Sequence, residues 1–280
     1  MPNPLFLGSS SALSALYCFW FILFIPSLLD EAHLATGLLP PNHWAYEPNV
    51  KTYNYDPATA EKLLAAAGYP RGANGKRFRL TIKVSTGEQA RLIGAALQDQ
   101  WKNVGIDLEV RSLELATLFA DLTKGNLQLS FLKWVGANND PDVFALVFST
   151  KRIPPNGSNR GRYRNPKVDE LTDAIRVEMN QQKRKELTSE VQKIVAEDLP
   201  YIPLWYADVV SVHQRSLGQL IFSPTGDYEF LAAPLNNNGD PSVAEHNSRF
   251  VPSAVNARVQ EFSSSNVQNS GKFISSKLNS

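Results

Sequence analysis

The sequence lacks the residues on which several large classes of protein depend. Its 280 residues include one cysteine, Cys18, which cannot form an internal disulfide or build a cysteine-rich zinc site. The four histidines contain no pair spaced four residues apart, so the paired-histidine helix of zinc metalloproteases is excluded. Phosphate-binding loops, dinucleotide-binding glycine motifs and the nucleophile elbow of hydrolases are also missing. We therefore expect no metal and no cofactor.

An excess of charge of either sign is missing as well. Lys and Arg number 28, Asp and Glu number 27, and the net charge is +1. A nucleic-acid-binding protein shows a basic excess, so we expect no nucleic-acid partner. With 43% hydrophobic and 20% charged residues, the composition is that of a soluble globular protein with a sizeable core.

Residues 1–31, the first of three parts, contain a long hydrophobic run. Ala12–Leu29 has 18 residues without a charge, which is near the lower limit for a helix that spans a bilayer. We interpret it as a membrane anchor or an uncleaved signal. The alternatives are a buried core helix or a segment outside the native fold. The first basic side chain is Lys51, so the positive region that usually precedes a secretory signal is missing.

Residues 32–234 are the predicted folded body, in which helix and strand patterns alternate. Helices are predicted to begin at Asp56, Asp140 and Asn165, because Asp and Asn cap a helix and the Pro that follows each of them fits the first helical position. The predicted strands are Arg79–Val84, Ile106–Val110, Leu127–Val135, Tyr201–Ala207 and Val209–His213. This alternation predicts an α/β domain with a largely parallel or mixed sheet.

Two predicted helices carry clear apolar stripes. The stripe of Gln89–Val104 consists of Leu92, Ile93, Ala96, Leu97, Trp101 and Val104. The stripe of the helix that begins at Asn165 consists of Val168, Leu171, Ile175 and Met179. Further helices are predicted at Leu113–Thr123 and Gln182–Glu197.

Residues 235–280, the third part, are predicted to be disordered. Ser and Asn occupy 18 of the 45 positions from 236 to 280, and the apolar residues are isolated. Such a segment buries too little apolar surface to offset the loss of chain entropy on folding.

Three groups of side chains in the body are candidates for chemistry. Asp140 and Asp142 are either catalytic carboxylates or, as we prefer, a helix cap and a first-turn residue favoured by the helix dipole. Trp134 ends a predicted strand, where α/β folds bind ligands, so it is either a flat apolar wall of a site or a packing residue. The basic run 183–185 begins a helix and is predicted to lie on a solvated face.

An ordered series of short motifs runs through the body, from Gly37 to Leu231. Its main segments are Gly37–Pro41, Tyr55–Tyr69, Gln98–Ile106, Gly125 with Trp134–Phe144, Tyr163–Leu171 and Arg184–Leu204. In this order they resemble the second half of the extracytoplasmic solute-binding proteins of family 5, which are the peptide-, oligopeptide- and nickel-binding components of ABC importers.

The resemblance implies a fold, a role and a location. The fold is an α/β periplasmic-binding-protein-like lobe, a mixed sheet flanked by helices, to which the N-terminal hydrophobic helix and the disordered C-terminal tail are added. The role is not enzymatic: the protein captures a peptide or other small solute and delivers it to ABC permease subunits. The location is the periplasm or cell surface, with tethering to the inner membrane if Ala12–Leu29 is an anchor.

The resemblance also implies where this chain departs from the family pattern. Members of the family are far longer. We therefore expect a truncated chain that consists of the second lobe with its return crossing. Alone, this chain should bind solute weakly or not at all. The residues expected to line the cleft are Trp134, Asn138, Asn139 and Asp140, with Gln89, from the loop before its helix, as an outside candidate. Peptide-binding relatives hold the amino terminus of the ligand with an aspartate where this chain has Ala137, which puts a peptide ligand in doubt.

Two hypotheses of other classes stay open on the sequence. One is an α/β enzyme that uses Asp140 or Asp142, which requires a deep pocket and a strongly raised carboxyl pKa. The other is a non-binding remnant or a membrane-tethered interaction module, which an uncovered apolar face on the body would favour.

Overall fold

The computed structural model describes residues 32–134, 140–207, 211–214 and 259–262. The hydrophobic segment 1–31, Asn138 with Asn139, and all but four residues of the predicted tail lie outside these residues. Within the described ranges, no helix is both long enough and apolar enough to cross a bilayer.

Helices and strands alternate as the sequence predicts. The helices are α1 (Pro57–Ala66), α2 (Glu88–Asn103), α3 (Leu115–Lys124), α4 (Val143–Phe148), α5 (Pro166–Val177) and α6 (Gln181–Asp198), with a 3₁₀ turn at Thr150–Arg152. The strands are β1 (Ala32–Leu34), β2 (Phe78–Ser85), β3 (Ile106–Leu113), β4 (Leu129–Ser130), β5 (Trp205–Ala207), β6 (Ser211–Gln214) and β7 (Val259–Phe262).

The main sheet has three strands in the order β3–β2–β4, and both pairs are parallel. Phe78 lies opposite Ile106, and Ile82 lies opposite Leu129. The predicted α/β class is therefore confirmed. The predicted strand at 127–135 is too long, because only Leu129–Ser130 pairs with β2, and Phe131 instead packs its ring 6.0 Å from that of Trp205.

One hydrophobic core forms where α2 packs on this sheet. Trp101, Ile93 and Leu97 face Leu80 and Ile82 of β2 in one buried cluster. The helix approaches the sheet closely at Gly94, where an added Cβ would lie 2.8 Å from a methyl group of Val110. The sequence assigned Leu92 to the same stripe, and that prediction is wrong, because its side chain is 56% exposed.

A second core joins α4, α5 and α6. Its buried members include Phe144, Phe148, Val168, Leu171, Ile175 and Val191. Met179 was predicted on this face but is 93% exposed, because α5 ends at Val177 and Met179 falls in the connection to α6.

Two short strand pairs are not hydrogen-bonded to the main sheet. β1 pairs with β5, and the Tyr206 hydroxyl donates to the carbonyl oxygens of Gly37 at 3.1 Å and Leu39 at 2.7 Å. β6 and β7 form a parallel pair, with Ser211 opposite Val259, in the second of two compact units of the chain.

Local helix-start chemistry is confirmed at two of the three predicted positions. The Asp56 side chain accepts the Thr59 amide at 2.9 Å, and the Asn165 side chain accepts the Lys167 amide at 2.9 Å. Both are N-cap residues followed by proline at the first helical position. The third position, Asp140, behaves differently and belongs to the candidate site.

Candidate functional site

The structure places three of the five predicted site residues. Trp134 and Asp140 flank residues 135–139, which include Asn138 and Asn139 and lie outside the described residues. Gln89 is exposed in the first turn of α2, not in the loop before it, because the helix begins at Glu88. No hydrogen bond or ring contact between described residues joins Gln89 to Trp134 or Asp140.

Asp140 is held by Arg184, which lies 44 positions later in α6. The two guanidinium nitrogens donate to the two carboxylate oxygens at 2.7 and 3.1 Å, a bidentate geometry that fixes both side chains. Arg184 also lies 3.7 Å from the carboxylate of Asp142 and donates through Nε to the Ile175 carbonyl at 3.1 Å. Its guanidinium carbon is 5.9 Å from the centre of the Trp44 ring.

These contacts correct two sequence predictions. Arg184 is not on a solvated face, because its side chain is only 20% exposed and serves as an ion-pair partner. Asp140 is not the cap of α4, whose N-cap is Asp142 without a side-chain cap bond. Asp140 instead accepts the Asp142 amide at 2.9 Å, which closes the turn that leads into the helix.

The ion pair with Arg184 affects the pKa of the Asp140 carboxyl. Partial burial by itself would raise the pKa of the carboxyl, but the hydrogen bonds from Arg184 and from the Asp142 amide together lower the pKa below its ordinary value. A carboxyl with a lowered pKa stays ionised at neutral pH. Asp140 therefore does not meet the condition that the enzyme hypothesis set for a general acid.

The pair is expected to contribute to stability in a pH-dependent way. In a double-mutant cycle of Asp140→Asn and Arg184→Met, we expect a coupling free energy of about 1 to 2 kcal/mol at pH 7, because half of the Asp140 side chain is solvated. Because the folded pKa is lowered, this coupling is complete above the ordinary value of 3.8 and is lost as the pH falls below it through the folded pKa. Urea unfolding at several pH values measures it. A coupling near zero at pH 7 would contradict the account.

Trp134 lies in a separate group of exposed aromatic and cationic side chains. Its side chain is 36% exposed, and that of Phe119, on α3, is 38% exposed. The guanidinium carbon of Arg160 lies 5.5 Å from the centre of the Trp134 ring and 5.0 Å from that of Phe119. Sequence reasoning missed Phe119 and Arg160, since neither belongs to a motif and both lie far from Trp134 in the chain.

Across residues 32–134 and 140–207 and the two short described strands, no three His, Cys, Asp or Glu side chains form a group that could hold a metal ion.

Comparison with known proteins finds relatives along most of the described chain. Residues 27–155 match the family model described as bacterial extracellular solute-binding proteins, family 5. Di/tripeptide-binding protein 3 of Pseudomonas aeruginosa is 28% identical over 192 residues, covering 68% of this chain and 36% of the relative. Heme-binding protein A of Haemophilus influenzae is 28% identical over 171 residues, covering 61% of this chain and 31% of the relative.

A solved structure shows the same architecture. The crystal structure of NikZ from Campylobacter jejuni in complex with Ni(L-His) superposes with a TM-score of 0.66 at 24% identity, covering 73% of this chain and 43% of NikZ. At this identity the likeness shows the fold, an α/β arrangement of periplasmic binding proteins. The resemblance drawn from the motifs is confirmed, over a chain that spans about a third of the length of these curated relatives.

Proposed function

We propose that this chain, which is similar to part of the family 5 bacterial solute-binding proteins, is the substrate-binding component of an ABC importer, or a segment of it. The observation that carries the proposal is the match of residues 27–155 to the family model. The component would capture a small solute in the periplasm or at the cell surface and present it to the permease subunits. This is a binding role, without a catalytic residue.

We propose that residues 134–140 are the segment that meets the solute, on the contacts of its two described ends. Arg184 fixes the segment at Asp140 through two hydrogen bonds, and Trp134 offers a half-exposed ring at the other end. We propose that Trp134 forms a flat wall of the cleft and that Asn138 and Asn139 supply polar contacts. Asp140 then shapes the segment through Arg184, and Gln89 remains an outer candidate.

The relatives bind different solutes, so the class of solute is a proposal. One is named for di- and tripeptides and another for heme, and NikZ was crystallised with Ni(L-His). We propose a peptide-like solute. Its ammonium group would lack a carboxylate at residue 137, because this position is alanine.

Tethering to the inner membrane through Ala12–Leu29 is a further part of this proposal. It is motivated by the 18 uncharged residues of that run. If the tether exists, the full chain stays with native membranes after a high-salt wash and dissolves only in detergent. Recovery of the intact chain in the soluble periplasmic fraction would contradict it.

Intrinsic tryptophan fluorescence tests the binding role. Because a cleft needs two walls and the chain matches about a third of the length of its relatives, we expect weak saturable binding of a di- to pentapeptide pool, with Kd on the order of 0.1 to 1 mM. Trp134→Phe should remove most of the fluorescence change and weaken binding about tenfold. Trp205→Phe is the control, because Trp205 is partly buried against the core of α2 and the main sheet, and it should keep the response.

A folded chain without a saturable response would contradict the proposal. The same titration with hemin and with nickel–histidine separates a wrong solute from a missing function. Binding of one of these, but not of peptides, would retain the transport role and change the solute.

A further inference from the structure

The guanidinium of Arg160 lies close to the rings of both Trp134 and Phe119. The guanidinium carbon lies within 5.0 and 5.5 Å of the two ring centres, and both rings are more than a third exposed. The aromatic rings attract the cation and restrict its rotation, while its N–H groups stay available at the edge of the planar guanidinium.

Arg160 differs from the arginines that hold the fold together. Arg71, Arg77, Arg79, Arg111 and Arg184 each pair with a carboxylate. The guanidinium of Arg160 has no hydrogen bond or ion pair with any residue that the structure describes. Among the described residues, this half-buried cation therefore has no counter-charge.

The backbone beneath Arg160 is fixed. Its amide donates to the Ser158 carbonyl at 2.8 Å, and the preceding Asn159 is buried and makes four side-chain hydrogen bonds. The Tyr201 ring packs against Phe148 in the core below, with ring centres 5.4 Å apart. Because the segment that carries Arg160 is anchored in the second core, ligand binding there would need little reorganisation.

The charges around Trp134 favour an anion. Residues 135–139 contain no ionisable side chain, Lys133 is exposed, and the Asp140 charge is already matched by Arg184. Arg160 and Lys133 are thus the cations beside Trp134 that no described carboxylate neutralises. Alanine at residue 137 offers no charge partner to an ammonium group, whereas the guanidinium of Arg160, beside the Trp134 ring, is suited to a carboxylate.

We propose that Arg160 binds a carboxylate of the solute and that Trp134 and Phe119 contact the apolar part beside that carboxylate. The fork of two N–H donors in a guanidinium matches the two oxygens of a carboxylate. The inference rests on the proposed binding role. It adds that the site selects solutes by an anionic end, not by a cationic one.

Two end-blocked dipeptides test the polarity of the site. N-acetyl-Ala-Phe carries a carboxylate and no ammonium, whereas Ala-Phe-amide carries an ammonium and no carboxylate. The full chain is titrated with each, and with unblocked Ala-Phe, while NMR follows the Trp134 indole N–H. We expect the acetylated peptide to bind about as well as Ala-Phe, and the amide to bind about tenfold more weakly or not at all.

Variants of Arg160 test the residue. Arg160→Gln should weaken binding of the acetylated peptide about tenfold, and Arg160→Lys should give an intermediate loss because it keeps the charge but not the fork. Arg164→Gln is the matched control, since it removes one charge from an exposed arginine four residues away and should leave binding unchanged. Urea unfolding of each variant verifies that the fold is retained.

The outcomes separate this inference from the function on which it rests. Equal binding of both blocked peptides, tighter binding of the amide, or an Arg160→Gln variant that binds like the control would overturn the inference and leave the binding role intact. If none of the three peptides binds to the folded chain, peptide binding itself fails, and the inference fails with it.

Discussion

Replacement of Asn159 by alanine is expected to lower the free energy of unfolding by about 3 to 5 kcal/mol. The side chain is 1% exposed and donates to the carbonyl oxygens of Phe148, Ser149 and Tyr163, at 3.3, 3.0 and 2.8 Å. It also accepts the Tyr163 amide at 2.9 Å. Alanine would leave these four backbone groups without their side-chain partner in a site that water does not reach easily.

Asn156 supplies the control for this substitution. It lies in the same connection between α4 and α5 but is exposed, so Asn156→Ala should change the free energy of unfolding by less than about 0.5 kcal/mol. Urea unfolding followed by circular dichroism measures both. If the two variants are equally stable, the connection is not held by Asn159, and the support proposed beneath Arg160 is removed.

Trp101→Ala is expected to cost about 3 to 5 kcal/mol of stability. Trp101 is among the largest fully buried side chains and lies between α2 and the main sheet. Alanine removes its apolar contacts and leaves a cavity that the neighbouring strand residues can fill only in part. The sheet that carries the Trp134 segment rests on this core, so the effect should appear as a lower urea midpoint of the whole cooperative transition.

Leu92→Ala is the matched control, because Leu92 lies on the same helix and belongs to the same sequence stripe. Its exposed position predicts a loss below about 0.5 kcal/mol. A loss at Leu92 as large as that at Trp101 would mean that this face of α2 is covered in the protein, and the packing described for α2 would be wrong.

The sequence predicts most of the elements because their causes are local. Asp56 and Asn165 cap helices through contacts with residues two or three positions away. The strands at 78–85 and 106–113 follow from alternating or continuous apolar patterns. The errors occur where tertiary contacts decide which side chains are buried. Leu92 and Met179 fit a helical repeat of apolar residues, but the sheet and the neighbouring helices cover only some of the residues in that repeat.

The candidate site is less predictable than the elements. Trp134 and Asp140 are accessible to sequence reasoning because motif order marks them. The contacts of Arg184 and Arg160 are not, because their partners lie 44 and 26 positions earlier in the chain, at Asp140 and Trp134. Charge pattern alone assigned Arg184 to solvent, and only the fold shows that it holds Asp140.

The most direct test of the central claim is the unfolding free energy of the chain with and without solute. A ligand that binds the folded state must stabilise it, by about 1.4 kcal/mol when its free concentration is ten times Kd. The account predicts this gain for the full chain with N-acetyl-Ala-Phe and its loss in Trp134→Ala. A cooperative urea transition whose midpoint does not move with any peptide, hemin or nickel–histidine would contradict the claim that this is a solute-binding protein.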